Sequence, residues 1–490
     1  MVVRRGPSGP VPLHRFFEWR MDKQHKVRWL ALLVLGLGLF VSVLDSSVVS
    51  VVTPAMQEEF NATEPQMMMV VTVYSLVFAS FLLLFGKVGH RVGLRRLQAL
   101  GAGLFGLSSL FVGLAPSIGF TNAMRAFAGM SAAMVGATGL ALVHSIFKGE
   151  DRALAFGLWG ATASLGAAVG PIIGGWAVTY YSWRLAFFIN VPICLFIILG
   201  CCLWITEIKH ESVDSIDYAG AALIGLGLFA IILALTYGPT WGWWTAGTSL
   251  SILGISPVPW LILLGFILIL VFFPHWRNNR EALGKEPIFD LKLLELGSFR
   301  IGMLASMFRK IAQFAPFFAL AIFLEETAAW SADETGWVFA ASAIGAVIAG
   351  PLSGWLVNRW GAKQVVIGGK IVMAISILWV LVVIEKSIRP GVLVGPLFLF
   401  GIGIGLSQAQ LNNVVMSDVP RDRAGDASAA KSVINRLGNS FGAAFVGILI
   451  VISINDVLIL AFLFVIVAIA LAFTLPNVKS AGGVKVHKEK

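Results

Sequence analysis

Fourteen stretches of roughly twenty residues, each nearly free of charge, follow one another between residues 29 and 475. At about 1.5 Å per residue such a stretch, wound as a helix, reaches across the roughly 30 Å hydrocarbon layer of a bilayer. Lipid offers no hydrogen bonds, so each stretch has to satisfy its backbone internally, which leaves the α-helix. The stretches lie near 29–52, 66–86, 97–116, 119–143, 154–178, 185–205, 218–238, 250–273, 299–323, 336–356, 365–384, 391–411, 429–453 and 456–475. With 58% hydrophobic and 13% charged residues in 490, a soluble fold is excluded because it could not hide this apolar surface. An all-α integral membrane protein is expected.

The charges test the count independently. With the N-terminus inside, every second loop is cytoplasmic. Those loops hold Lys87, Arg91, Arg95 and Arg96, then Lys148 and Arg152, Lys209, Arg277, Arg280, Lys285 and Lys292, Arg359 and Lys363, and Arg421 and Arg423. The opposite loops carry Glu58, Glu59, Glu64, Glu325, Glu326, Asp333 and Glu334, with few basic residues. This is the positive-inside bias with both termini cytoplasmic, and one span more or fewer would scramble it. The net charge of +10 therefore reads as membrane orientation, not as a nucleic-acid surface. The basic stretch before Trp29 leads into a full-length spanner and does not read as a cleaved signal.

Two patterns organise the spans. Gly166, Gly170 and Gly174 recur at every fourth position, a bare stripe that lets a second helix approach closely. Pro171 lies within that run and is expected to bend the helix unless its neighbours compensate, and Gly175 leaves the next turn bare. The second pattern is a repeat. Gly86-Lys-Val-Gly-His90-Arg91-Val-Gly93 follows span two, and Gly354-Trp-Leu-Val-Asn358-Arg359-Trp-Gly361 follows span ten. Both loops fall after the second helix of a six-helix unit if spans seven and eight are an inserted pair. The expected layout is a leader (1–28), a first six-helix bundle (29–206), a linker with two inserted helices (207–297), a second bundle (298–476) and a tail (477–490).

These motifs resemble the major facilitator superfamily, specifically its fourteen-helix drug:proton antiporters, over roughly residues 29–475. Leu44-Asp45-Ser46-Ser47-Val48-Val49-Ser50 through Pro54 is similar to a signature at the end of the family's first span, with Ser50 in place of Asn. The Gly86–Arg96 loop is a second match. Arg125-Ala-Phe-Ala-Gly129 is similar to Arg-x-x-Gln-Gly, with Ala128 at the Gln position. The Gly166–Gly175 stretch is similar to the antiporter motif of the family's exporters, and it continues into Ser182-Trp183-Arg184 and Phe188-Ile189-Asn190-Val191-Pro192. Arg423 to Ser428 and Arg436-Leu437-Gly438 are similar to a further pattern. The resemblance implies two bundles rocking about a central site, with export of amphipathic small molecules in exchange for protons. The family's loop acid is replaced by His90 and, in the second copy, Asn358; either could cap a helix end, but neither supplies a fixed negative charge.

Asp45 is the one acid well inside a span, and a desolvated carboxylate favours its neutral form, which suits a proton carrier. The alternative is a fixed ion pair. The resemblance gives Arg125 a cavity-facing role in proton release; the competing reading is snorkelling from about six residues inside the span. Arg309 and Lys310 lie too deep in span nine for both to snorkel. They either face Asp45 across the cleft as an ion pair or bind an anionic group on the substrate. Gln408, Gln410, Asn412 and Asn413 form a polar patch ending span twelve, with Gln408 and Asn412 taken as cavity residues. Lys431 and Arg436, near the inner end of span thirteen, read as snorkelling. No nucleophile, metal cluster or phosphate loop with Lys-Ser/Thr appears, so an ion gradient is the expected driving force and no enzyme or cofactor is expected. The expected partners are a small-molecule substrate, protons and the bilayer of the cell membrane, for a monomeric protein without nucleic acid. A dedicated exporter of one metabolite, siderophore or lipid, possibly anionic, is the alternative.

Overall fold

The computed structural model describes residues 23–208, 216–245, 251–330, 332–384, 389–420, 423–449 and 453–476. Most of the leader, the tail, Lys209, Lys386 and Arg421 lie outside the described residues. The apolar stretches are helices: α1 (Lys23–Phe60), α2 (Glu64–Val92), α3 (Leu94–Gly113), α4 (Ile118–Ile146), α5 (Gly149–Tyr180), α6 (Trp183–Phe188), α7 (Asn190–Trp204), α8 (Tyr218–Trp241), α9 (Pro257–Ile267), α10 (Phe273–Ala282), α11 (Gly297–Ile322), α12 (Ala332–Trp360), α13 (Ala362–Val383), α14 (Pro390–Val415), α15 (Ala424–Leu449) and α16 (Ile454–Phe473). Among the described residues, eleven helical segments are long and apolar enough to cross a membrane. α3, α11 and α15 have the length, at 20, 26 and 26 residues, but carry charges within them. Counting α6 with α7 and α9 with α10, the succession is consistent with the fourteen expected spans.

Local chemistry sets the boundaries. Ser117 Oγ accepts from the Phe120 N–H at 3.3 Å to start α4, and Ser453 Oγ accepts from Asn455 at 3.1 Å to start α16. Span eight begins at Pro257, not at 250, because Ser256 caps it and Pro257 occupies its first turn. α5 runs through Pro171 without interruption from Gly149 to Tyr180. Span six starts as the short α6 and restarts at Asn190, one residue after Ile189.

In the first bundle α1 packs on α5 and α7, α2 on α4, and α3 on α4 and α7. In the second, α12 packs on α14, α13 on α14 and α16, and α11 on α15 and α16. The bundles meet through α5 against α12 and α14, and through α15 against α2 and α4. The inserted α8 lies along this seam against α2 and α15, with the Thr72 and Tyr237 hydroxyls 3.3 Å apart. Asp217 pins the inner end of the insertion: its carboxylate accepts from Gly220 N–H, from Trp276 Nε1 at 2.9 Å and from Ile288 N–H at 3.1 Å.

Candidate functional site

The glycine stripe positions the helix that carries Asp45. A Cβ at Gly166 would come 2.7 Å from the Phe40 carbonyl oxygen, and one at Gly170 would overlap Ser47, so α5 touches the backbone of α1. Gly174 has 3.3 Å to Val51, while Gly175 faces nothing within 4 Å and takes no part in the contact. Ser47 Oγ adds a hydrogen bond to the Gly166 carbonyl at 3.2 Å. Nearer its N-terminus the same α5 meets the other bundle, where a Cβ on Gly350 would lie 2.7 Å from the Gly157 carbonyl. One helix therefore links the Asp45 helix to the opposite bundle.

Asp45 and Arg125 form an ion pair, each 1% exposed. Arg125 does not snorkel. Its Nε donates to the Val70 carbonyl at 3.2 Å, and its guanidinium lies 4.7 Å from the Tyr74 ring centroid. Asn190 Nδ2 donates to the other Asp45 oxygen at 3.4 Å and to Ser109 Oγ at 3.2 Å. Tyr74 in turn donates to the Ser42 carbonyl at 3.3 Å. Breaking a buried pair of this kind by removing one partner costs about 3–5 kcal/mol, because the other charge is left unpaired. A proton on Asp45 does the same chemically: it cancels the carboxylate and frees Arg125. The pair joins α1 to α4, and its contacts with Tyr74 and Asn190 bring in α2 and α7.

The second set of residues closes the end that the charge bias assigns to the cytoplasm. Lys87 Nζ is 2.9 Å from Asp426 Oδ2, both buried, and 3.4 Å from Glu286 Oε2. The Gly425 N–H, in the first turn of α15, donates to His90 Nε2 at 3.1 Å. The fixed negative charge missing at His90 is therefore supplied from the opposite bundle by Asp426, while His90 caps the facing helix. Gly86 lies where a Cβ would be 3.2 Å from the Gly425 carbonyl. Gly93 ends the loop at φ +113°, with Glu207 filling the space a side chain would need. The second copy mirrors this geometry: Gly354 abuts Leu154 of α5, and Gly361 has φ +88°. Asn358 and Arg359 are exposed, as is Arg91, so the second loop has no counterpart of the His90 cap.

The polar patch of α14 belongs to the same closure. Gln410 Nε2 donates to Ser353 Oγ at 2.9 Å and to the Ala153 carbonyl at 3.3 Å, and Arg152 Nε donates to Asn413 Oδ1 at 3.0 Å. Gln410 and Asn413, rather than Gln408 and Asn412, carry the bonds between bundles.

Arg309 and Lys310 do not meet Asp45, whose cation is Arg125. Arg309, 2% exposed, donates through Nη1 to Gln313 Oε1 at 2.9 Å, and its buried Nε has no hydrogen-bond partner. Lys310 packs against α15, where a Cβ at Gly438 would lie 2.7 Å from its own Cβ. The snorkelling expected of Lys431 is corrected: it is buried and donates to Ser306 Oγ at 3.0 Å. Arg436 also stays inside, its guanidinium 4.2 Å from the Phe78 ring centroid and 5.9 Å from that of Tyr74, on the facing helix α2. Sequence reasoning passed over Tyr74, Asn190, Asp426 and Lys370. Lys370 is wholly buried in α13 and donates to the Ala468 carbonyl at 2.9 Å. A lysine interrupting an apolar run was its only signal.

Two packed helical bundles, a membrane-buried ion pair in one and a polar closure between them define a multi-pass membrane transporter. The sequence pattern of the Major Facilitator Superfamily matches residues 35–279 and 302–490, and the chain belongs to that family. Among curated proteins it is 30% identical to multidrug resistance protein Stp of Mycobacterium tuberculosis (strain CDC 1551 / Oshkosh), over 86% of this chain and 76% of Stp. It is 27% identical to the tetracenomycin C resistance and export protein of Streptomyces glaucescens, over 88% of this chain and 77% of that protein. The crystal structure of the human organic anion transporter MFSD10 (TETRAN) superposes with a TM-score of 0.67 over 92% of this chain and all of that one; at 13% identity this shows the fold alone.

Proposed function

We propose that the protein exports amphipathic small molecules in exchange for protons by alternating access, with Asp45 as the proton carrier and Arg125 as the group that favours proton release. The buried Asp45–Arg125 pair carries the reading. It is a titratable pair shielded from both aqueous phases, with α5 connecting its helix to the opposite bundle. The relatives named for multidrug resistance and for export of tetracenomycin C support an efflux direction. In the cycle, the Lys87–Asp426 pair, the His90 cap and the Gln410–Ala153 contact hold the cytoplasmic side shut. A proton entering Asp45 weakens its hold on Arg125, and the relaxation of α1 against α5 is passed to α12 and α14. The cytoplasmic contacts then part and cargo enters from inside. The two bundles (29–206 and 298–476) are the rigid units we assign to this motion, with the linker (207–297) between them. The test is dye efflux from energised vesicles: the parent's flux should follow an imposed proton gradient, and Asp45→Asn should uncouple it.

A further inference from the structure

We propose that the cations buried in the second bundle form a binding site for the acid group of an amphipathic anion, a carboxylate, sulfonate or phosphate borne on an apolar body. This rests on the exporter reading in taking that anion as cargo. Five cationic side chains enter the interior of this half: Arg309 and Lys310 from α11, Lys370 from α13, and Lys431 and Arg436 from α15. Among the described residues none of the five forms an ion pair with a carboxylate, whereas Arg125 in the first bundle does. Lys370 and Lys431 reach the same turn of α11, donating to the Ala305 carbonyl at 3.5 Å and to Ser306 Oγ at 3.0 Å, one turn before Arg309 and Lys310.

Buried charges are retained in membranes where they are paired or line a pathway. Lysines can avoid the cost by losing a proton, but a guanidinium keeps its charge at any physiological pH. Arg309 is therefore the anchor of the inference. It carries five N–H donors, and its one hydrogen bond among the described residues goes to a neutral amide, Gln313, while its buried Nε is unsatisfied. Lys431 is held by a hydroxyl, Ser306 Oγ, which itself donates to the Gly302 carbonyl at 2.7 Å. Ser306 is one turn before Arg309 on α11, so the Lys431 ammonium from α15 and the Arg309 guanidinium sit on adjacent turns of that helix. Lys370 is satisfied by the Ala468 and Ala305 carbonyls. Arg436 lies at the seam, its guanidinium over the Phe78 and Tyr74 rings of α2, which places apolar aromatic side chains beside the charges. A planar acid group can satisfy the Arg309 fork and the Lys431 ammonium together, replacing desolvated donors by charge-assisted bonds.

The test is equilibrium binding to the purified full-length chain in nanodiscs, with no gradient present. Three probes share one aromatic body: 1-pyrenebutyrate, its methyl ester, and the corresponding pyrenebutyl-trimethylammonium cation. The parent should bind the anion at least tenfold more tightly than the ester or the cation. Arg309→Gln and Lys431→Gln should each remove that preference while leaving ester affinity within about twofold. Arg309→Lys should retain part of it, which shows that the Gln variant's loss is not misfolding, and Lys285→Gln on an exposed loop should keep all of it. Running the titration in phosphatidylglycerol and in phosphatidylcholine discs identifies the source: competition by phosphatidylglycerol assigns the site to a lipid phosphate, and indifference assigns it to a free solute. Equal affinity for the three probes, or a preference that survives Arg309→Gln, overturns the proposal. Because no gradient is used, the outcome is independent of proton coupling. Proton-driven efflux of the ester without anion preference would sink this site and leave the exporter reading standing.

Discussion

Substituting Asp426 by Asn should open the cytoplasmic side. In the closed arrangement Lys87 and Asp426 are both buried with 2.9 Å between the charged atoms, so removing the carboxylate leaves an ammonium desolvated. Orphaning one member of a buried pair costs about 3–5 kcal/mol. Part of that is recovered, because Glu286 Oε2 remains 3.4 Å from Lys87 Nζ. Glu286 is 42% exposed along its side chain, and a pair with an exposed partner is worth up to about 1 kcal/mol. The net penalty of about 2–4 kcal/mol falls on the closed state alone, since parting of α2 and α15 rehydrates Lys87; at about 1.4 kcal/mol per factor of ten this raises the open-to-closed ratio roughly 30- to 1,000-fold. A cysteine at Ser353, buried at the contact of α12 with α5, where a Cβ on Gly157 would lie 3.4 Å from the Ser353 Oγ, reports the opening. In a background with the exposed Cys202 replaced, maleimide labelling from the cytoplasmic side should accelerate by at least tenfold in Asp426→Asn. Glu286→Gln should change it by less than about fivefold. Unchanged labelling in Asp426→Asn, or an equal effect from Glu286→Gln, would refute the assignment of the lock to this pair.

Three other outcomes follow from particular contacts. Gly166→Ala should lower stability by about 1–3 kcal/mol through overpacking against the Phe40 carbonyl, and Gly175→Ala should leave the detergent melting temperature unchanged, since nothing lies near its Cβ; similar melts for both would contradict the α5–α1 contact. His90→Ala should weaken closure by about 1 kcal/mol through loss of the Gly425 N–H acceptor, read as a several-fold rise in the same Ser353→Cys labelling. If the cargo is a monovalent anion leaving against one proton, each cycle moves two charges, about 4.6 kcal/mol per 100 mV against about 2.3 for a neutral cargo and none for a monovalent cation. Pyrenebutyrate flux in valinomycin-clamped proteoliposomes should then depend more steeply on potential than ester flux, and flux indifferent to potential would contradict an anion-for-proton exchange.

The spans and their order were legible because lipid imposes one rule on every apolar stretch, and the loop charges check the count. The Gly166–Gly174 stripe was legible for the same reason: small residues at helical spacing have few uses other than close approach. What lay hidden depends on which helices meet. Nothing local to Asp426 says that it faces Lys87 some 340 residues earlier, and so supplies the charge that His90 lacks. Asn190 stood inside a recognised motif, but its bond to Asp45 exists only because α7 packs on α1. Gln410 and Asn413 were separated from Gln408 and Asn412 by helix rotation alone, which a polar patch at the end of an apolar run does not fix. Lys431 read as a snorkelling residue by its distance from the span's end, whereas α15 runs against α11 and buries it.

Proton-gradient-dependent dye efflux from vesicles, parent against Asp45→Asn, tests the central claim most directly. With Asp45 as the carrier, collapsing the gradient stops efflux in the parent, and Asp45→Asn shows no gradient dependence at equal expression while still binding the dye. Coupling that persists unchanged in Asp45→Asn would contradict the account and place the proton on another group.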